Sequence, residues 1–417
     1  MHSLTNSQIR VRASGKRATS PLGCGTGVPS ERFPLELLPT SSVRWYRMAV
    51  PTNSTVQVSE KLAAASIQDR DAMNSASPLA GPPESPSVSD PAHHIRELVT
   101  GYRRAKVTAL AVDLGIADAL KDGPLHVDEL AVRCQTHPSA TGRLLESLLE
   151  VGLVTRTGDN YSLTPAGELL RCDVPGSLSR WTTMSAGMQY AAWEGSAHAI
   201  RTGLPAFDAV FETSFWQHLA SRPDAAADFD AAMADSVTES CELITQDPAL
   251  RGATVVADIG GGNGKLASTM LDTHPHLSVL VVDLPGVVER AARALTRFGE
   301  RARVEGADFL TRVPTGGDTY VLCRVLSDWD DTHAAILLDN CRAAMREGDA
   351  LLVVGGLRRP GQPAARGLLD LHLLMIIGGR ERTEAETADL LASAGFRLDR
   401  VEHSLSERTS LVAATAV

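Results

Sequence analysis

The chain has 417 residues with 40 Lys and Arg against 50 Asp and Glu, a net charge of -10, and 43% hydrophobic residues, enough for two or three units with ample core. The acidic balance argues against polyanion binding as the main activity, because phosphate neutralisation needs clustered Lys and Arg. Six dispersed cysteines, with no CxxC pair and no His cluster at metal spacing, fit a reduced cytoplasmic protein without a metal site, and no apolar run reaches the ~20 residues of a membrane span.

Residues 1–90 are rich in Ser, Pro, Gly and Thr and lack sustained apolar periodicity, which predicts disorder. Their opening carries Arg10, Arg12, Lys16, Arg17 and Arg32 against Glu31, a pattern compatible with a transit peptide or with translation that begins at Met48 or Met73. From His94 the apolar period becomes helical: Val107, Leu110, Ala111 and Leu114 share one face, and the segment stops at Asp122-Gly123. A helix over Val127–Arg133, another through Leu144, Leu145, Leu148 and Leu149, and a hairpin around Gly158 complete a winged-helix pattern in residues 91–175. Between Ile95 and Cys172 nine basic residues face ten acidic ones, and the helix that would read DNA offers only Arg143. A DNA reader needs a basic face, so this unit is expected to contact protein. The apolar helices Val107–Leu120 and Leu144–Val151 exceed what so small a unit buries, which predicts a homodimer.

Residues 176–250 read as a helical connector in which eleven of the chain's 27 Trp, Tyr, Phe and Met residues are concentrated. Each is individually a core candidate. Together they also suit the wall of a pocket for a flat apolar substrate, with Met184, Met188, Trp193 and Phe215 as candidates, joined by Arg324 and Met375 from further along.

Residues 251–417 alternate strand and helix. Strands are predicted at Thr254–Ala257, Ser278–Val282, Ala302–Glu305, Thr319–Cys323 and Ala350–Val354, a parallel sheet covered on both faces. Phe396–Val401 and Leu411–Ala414, joined by a short turn, should close it as an antiparallel hairpin. Within this unit VVADIGGGNG reads as a buried strand entering a side-chain-free turn, where glycine permits positive φ and close approach to a ligand. Two cofactors suit it. Gly262, Gly264 and Ala267, followed by Asp283, match a dinucleotide fingerprint, while Asp258 followed by Gly260, Gly262 and Gly264 is equally the acid-then-glycine turn of S-adenosylmethionine (SAM) binders.

From about Ile95 onward the blocks LGIADAL, RLLESLLEVGLV, YSLTPAGELLR, AIRTGLPAF, VADIGGGNG, GADF, VLSDWDD and GGRERTEAE resemble, in order, those of small-molecule O-methyltransferases, the family that includes caffeate-type plant enzymes and anthracycline-tailoring enzymes. The resemblance implies a winged-helix-like, mainly α dimerisation domain, a connector, and an α/β Rossmann-like seven-stranded domain that binds SAM. It implies that Gly260, Gly262 and Gly264 approach the amino-acid part of SAM beside Asp258, that Asp283 and Leu284 meet the ribose, and that Asp308 and Phe309 hold the adenine, with Cys323 and Trp329 nearby. The substrate it implies is a hydroxyl of an aromatic or polyketide-type natural product.

One block departs from the family. Where plant-type members place a His as general base before Asp-Trp, this chain has Ser327, and the acid that orients that His is replaced by Gly355, leaving Glu381 as the remaining orienting acid. A serine hydroxyl is no base near neutral pH. The replacement candidates are Asp328 and His372, or proximity alone acting on an acidic hydroxyl. Two alternatives follow: a SAM-binding tailoring enzyme that hydroxylates, decarboxylates or rearranges without methyl transfer, and a SAM-sensing scaffold.

Overall fold

The computed structural model describes residues 90–359, 365–406 and 408–417. The stretch 1–89, with its expected disorder and alternative start sites, lies outside them.

The first described element is the helix Pro91–Thr100, begun by Asp90, whose carboxylate accepts the Ala92 amide, and by proline in the first turn. Helices Tyr102–Asp113, Val127–Arg133 and Pro138–Glu150 follow, with the short helix Ile116–Ala119 entered through Gly115 at φ +67°. Strands β1 (Leu125–His126), β2 (Val154–Thr157) and β3 (Asn160–Leu163) form an antiparallel sheet in the order β1-β3-β2, which is the wing. The core of this unit is Ile116, Leu130, Leu145 and Leu148, all fully buried.

That packing narrows the basis of the dimer expectation. Leu145, Leu148 and Leu120 fill the unit's own interior, Leu110 stays 41% exposed, and the largest uncovered stripe is Ile95, Leu98 and Val99, which are 58, 64 and 69% exposed on the first helix. No residue of that helix is buried. A lone helix with such a stripe is stabilised only when another surface covers it.

The connector, Ser179 to Gly252, is a run of short helices interrupted by a π-helical turn at Ser185–Gln189, where Gly187 leaves helical space at φ -96°, ψ -110°. Its core is aromatic. Phe207 stacks on Phe211 with centroids 4.3 Å apart and meets Phe215 edge-on at 5.3 Å, and Phe215 in turn meets Trp216 and Phe229 edge-on. Met375 and Ile376 of the helix Ala365–Ile377 pack into the same cluster, so the connector is fastened to the domain that follows.

That domain is built on β4 (Val255–Ile259), β5 (Ser278–Asp283), β6 (Ala302–Gly306), β7 (Thr319–Cys323), β8 (Ala350–Gly355), β9 (Leu357–Arg358), β10 (Arg382–Thr383), β11 (Phe396–His403) and β12 (Ser410–Ala416). Seven of them form one sheet, ordered β11-β12-β8-β7-β4-β5-β6, and β9 and β10 pair in a small parallel annex. The runs VVADI, SVLVVD, TYVLC and ALLVVG are apolar on both faces because helices cover both. All pairings from β8 to β6 are parallel, while β12 enters antiparallel beside β8, with Val412 opposite Val353, and β11 closes the edge. Strand order reverses at β4, between β7 and β5, and ligands of such sheets bind at the carboxyl ends beside that reversal.

Replacing Leu98 and Val99 together with Asp should convert a dimer to a monomer at micromolar concentration by light scattering. The far-ultraviolet dichroism should stay unchanged, because neither side chain supports the protomer's own core.

Candidate active site at the carboxyl edge of the sheet

β4 delivers Ile259 to a turn in which Gly260, Gly262 and Gly264 stand at φ +72, +57 and +82°. Side chains are also sterically barred here. A Cβ on Gly260 would lie 2.6 Å from Val325 Cγ2, one on Gly261 2.7 Å from Asp258 Oδ2, and one on Gly264 3.0 Å from Leu295 Cδ1. The bare backbone is therefore cradled by Val325 in the turn after β7, by Asp258 of β4 and by Leu295 of the helix after β5.

Two carboxyl groups flank this turn. Asp258 has no exposed surface, and neither of its oxygens has a hydrogen-bond partner. Burial, and then the neighbouring Asp283, push its pKa up to about 7. Asp283, the last residue of β5, accepts the Gly262 amide at 2.9 Å and the Leu284 amide at 2.7 Å, and burial likewise raises its pKa. Leu284 is 36% exposed beside it. Around the turn, Asn263 Nδ2 donates to the Asp230 carbonyl at 3.3 Å, and Arg290 Nε donates to the Asp230 carboxylate at 2.5 Å, which brings the connector helix Pro223–Ser236 onto the loop.

The next two strand ends add an aromatic wall. Asp308 caps its own turn, accepting from the Leu310 amide at 2.9 Å and from Thr311 Oγ1 at 3.2 Å. Phe309, its carbonyl held by Asn340 Nδ2, meets Trp329 edge-on at 5.9 Å and lies 3.6 Å from where a Gly260 Cβ would be. The Trp329 indole N–H is buried without an acceptor. Cys323, at the end of β7, is a neutral thiol, its pKa pushed up to about 12 by burial and then by Asp258. A ligand carrying a cation, vicinal hydroxyls and a flat polar ring would satisfy these orphaned groups together, which is the donor and acceptor set of SAM.

After β7 the chain turns sharply through Arg324, whose φ of +59° is unusual for a residue with a long side chain and whose amide donates to the Val354 carbonyl. The turn Leu326–Asp328 is then clamped from the segment before β10. Arg382, 4% exposed, donates to the carbonyls of Leu326 and Trp329, both at 2.9 Å, and to Asp331. The Arg380 amide donates to the Ser327 carbonyl, and a Cβ on Gly379 would lie 2.2 Å from that same oxygen. Asp370 holds the segment in turn by accepting the Glu381 amide at 2.7 Å, and Glu381 is 2% exposed. The clamp by Arg382 and Gly379 was not foreseen from the sequence. Its signal was the GGRERT run, whose partners sit more than fifty residues away.

At Ser327 itself the structure leaves a hollow of about 30 Å³ bordered by Gly355, Gly356 and Arg380. No carboxylate or imidazole is among the described residues that line it. Asp328, the next residue, is half-buried, and burial pushes its pKa up to about 7 against the lowering effect of Arg324.

A second opening, about 490 Å³ and broad at the surface, is lined by Ser185, Tyr190, Trp193, Glu194, Ser196 and His372. Lys106 reaches it from the N-terminal unit: its ammonium donates to the Ala186 carbonyl and sits 4.0 Å above the Tyr190 ring. Of the residues proposed for the substrate wall, Trp193 lines this cleft and Met188 is half-buried against the connector cluster. Phe215 and Met375, 2% and 0% exposed, are sealed inside that cluster, and Met184 is 4% exposed. Phe215 and Met375 thus belong to the connector's apolar core, and Met184 is buried outside that cluster.

Residues 193–397 match the O-methyltransferase domain, and residues 96–172 match the O-methyltransferase dimerisation domain. O-demethylpuromycin-O-methyltransferase of Streptomyces alboniger is 38% identical over 331 residues, covering 75% of this chain and 88% of that protein. The chain belongs to the O-methyltransferase family. Its fold agrees with that of the mitomycin 7-O-methyltransferase MmcR at TM-score 0.74 and 31% identity, over 78% of this chain and 98% of that one. NcsB1 from neocarzinostatin biosynthesis, solved with SAM and 2-hydroxy-5-methyl naphthoic acid, agrees at TM-score 0.66 and 35% identity, over 75% and 96% of the two chains. Membership bears out the expected architecture, SAM as cofactor and the homodimer.

The buried, unpartnered carboxyl of Asp258 carries a sign that can be measured. Its folded pKa lies above the unfolded value, so the folded apoprotein holds the extra proton and loses stability as pH rises from about 4 to 7. Asp258→Asn should therefore raise the melting temperature of the apoprotein at pH 8, have no such effect at pH 4, and weaken SAM binding by calorimetry. Asp283→Ala should abolish SAM binding while the protein still unfolds cooperatively.

Proposed function

We propose that the protein transfers the methyl group of SAM to a hydroxyl of an aromatic or polyketide-type natural product, with Asp328 as the proton acceptor. The observation that carries this assignment is the Asp328 carboxyl, held at the clamped turn with its pKa raised to about 7. A base is most effective when its pKa lies near the working pH, and that condition excludes Ser327. In this reading residues 91–175 dimerise, 176–250 shape the substrate side, and 251–417 hold the cofactor through Asp258, Gly260, Gly262, Gly264, Asp283, Leu284, Asp308, Phe309, Cys323 and Trp329.

Bound SAM supplies a methyl group activated by a cationic sulfur. The chain's own residues then have three tasks. The glycine turn and the two carboxyls would fix the cofactor, the Phe309–Trp329 wall would exclude water, and Asp328 would take the proton of the attacking hydroxyl. Orientation supplies much of the rate, since an oxygen held in line reacts as if at very high local concentration. Arg324 positions the turn, and Glu381 supports it within the Arg380–Arg382 segment. We place the reaction in the cytoplasm: none of the five described cysteines is in a disulfide, and no described helix is long and apolar enough to cross a membrane.

A second reading, SAM as an electrostatic cofactor for a non-methylating tailoring reaction, draws support from the hollow at Ser327 and Gly355. Equal amounts of S-adenosylhomocysteine and methylated product would exclude it.

Asp328→Asn should lower kcat by about 10²–10³ with little change in the KM for SAM, the usual range for removing a general base. The wild-type kcat should rise through pH 7 as the carboxyl ionises and then level off, and the variant should lose that rise. Ser327→Ala should change kcat less than about threefold, since its hydroxyl takes no proton at neutral pH.

A further inference from the structure

His372 is bound to Trp193 in a way that decides what it can offer a substrate. The Trp193 indole Nε1 lies 3.2 Å from His372 Nδ1, with the rings 19° from parallel. An indole nitrogen only donates, so Nδ1 must present its lone pair, and the proton of a neutral imidazole then resides on Nε2. Burial on the helix Ala365–Ile377 lowers the proton affinity of the ring, which keeps it neutral. A neutral imidazole in this tautomer has no second lone pair for a proton. It is a hydrogen-bond donor, and it lines the cleft.

The rest of the cleft narrows what that donor can meet. Tyr190 and Trp193 supply flat apolar surface, and the exposed Glu194 carboxylate stands opposite in sign to the Lys106 ammonium over the Tyr190 ring, so the cleft has no charge surplus that calls for an ionic group. We infer that His372 is a substrate-binding donor that selects hydroxyaromatics bearing a neutral carbonyl acceptor, a ketone or quinone oxygen. The inference rests on the methyl-transfer reading and names the substrate class for it.

The chemistry of such a substrate suits what the site lacks. A carbonyl conjugated with the hydroxyl withdraws charge and acidifies it, and a hydrogen bond from Nε2–H to that carbonyl draws charge further in the same direction. The proton passes to Asp328, the oxygen forms the new bond to the methyl carbon as the bond to sulfur breaks, and no other reactant is required. A carboxylate with a pKa near 7 is then base enough.

The test compares wild type, His372→Phe and His372→Gln on a hydroxynaphthoquinone and on a naphthol of the same ring count. Methyl transfer is followed from labelled SAM, and binding is followed by quenching of tryptophan fluorescence in the presence of S-adenosylhomocysteine. His372→Phe should lose about tenfold or more in kcat/KM on the quinone, mostly in KM, and less than about threefold on the naphthol, as expected when one buried hydrogen bond is removed. His372→Gln, which restores a donor, should recover most of the loss. Equal losses on both substrates, a Gln variant no better than Phe, or no binding of the quinone by wild type would overturn the inference. Nitrogen-15 resonances of His372 in the wild-type protein should place the proton on Nε2, and a proton on Nδ1 would overturn it without any variant. Quinone binding that depends on His372 while neither compound is methylated would retain the donor and remove the methyl-transfer reading.

Discussion

Asp258 and Asp283 are carried to one edge of the sheet by parallel strands in register, and their like charges, deep in a poorly solvated setting, repel. The repulsion is relieved only in part: Asp283 is tied to two backbone amides, while Asp258 has none. The glycine turn is built around this tension, because the Gly262 amide both shapes the loop and answers one of the carboxyls. A cationic ligand would complete the balance. Much else in the domain serves to hold that edge, including the Arg290–Asp230 pair that seats a connector helix on the turn and the aromatic wall of Phe309 and Trp329.

What was legible in the sequence follows from the range of the forces involved. All seven strands of the large sheet were predicted within about two residues at each end, because strands buried on both faces need β-branched and apolar runs. The helix Val127–Arg133 and the closing hairpin were also visible, since periodicity and a short polar turn are local signals. The residues proposed for the cofactor lie at the carboxyl ends of β4 to β7 or in the turns that follow them, which the order of strands brings to one edge.

What was not legible depends on long-range placement. Phe215 and Trp193 are chemically alike as pocket candidates, yet one is sealed against Phe207 and the other opens onto a cleft. Leu145 and Leu148 looked available for a partner until the wing and neighbouring helices covered them. Arg382 gave no hint that it would hold the turn after β7, because its contacts lie 51 to 56 residues earlier in the chain. The tautomer of His372 is set by a residue 179 positions away. Asp328 owes its raised pKa to burial, a quantity that no run of letters contains.

The hollow beside Ser327 also bears on how such an enzyme can change over evolutionary time. A Cβ placed on Gly355 would meet nothing within 4 Å, so the backbone already accommodates a longer side chain there. The turn that carries Ser327 is held through main-chain carbonyls by Arg382 and Arg380, and its path does not depend on the identity of residue 327. Both positions are thus free to vary without disturbing the cofactor edge. A longer side chain at either position could enter the hollow while the main chain that faces the cofactor edge keeps its path.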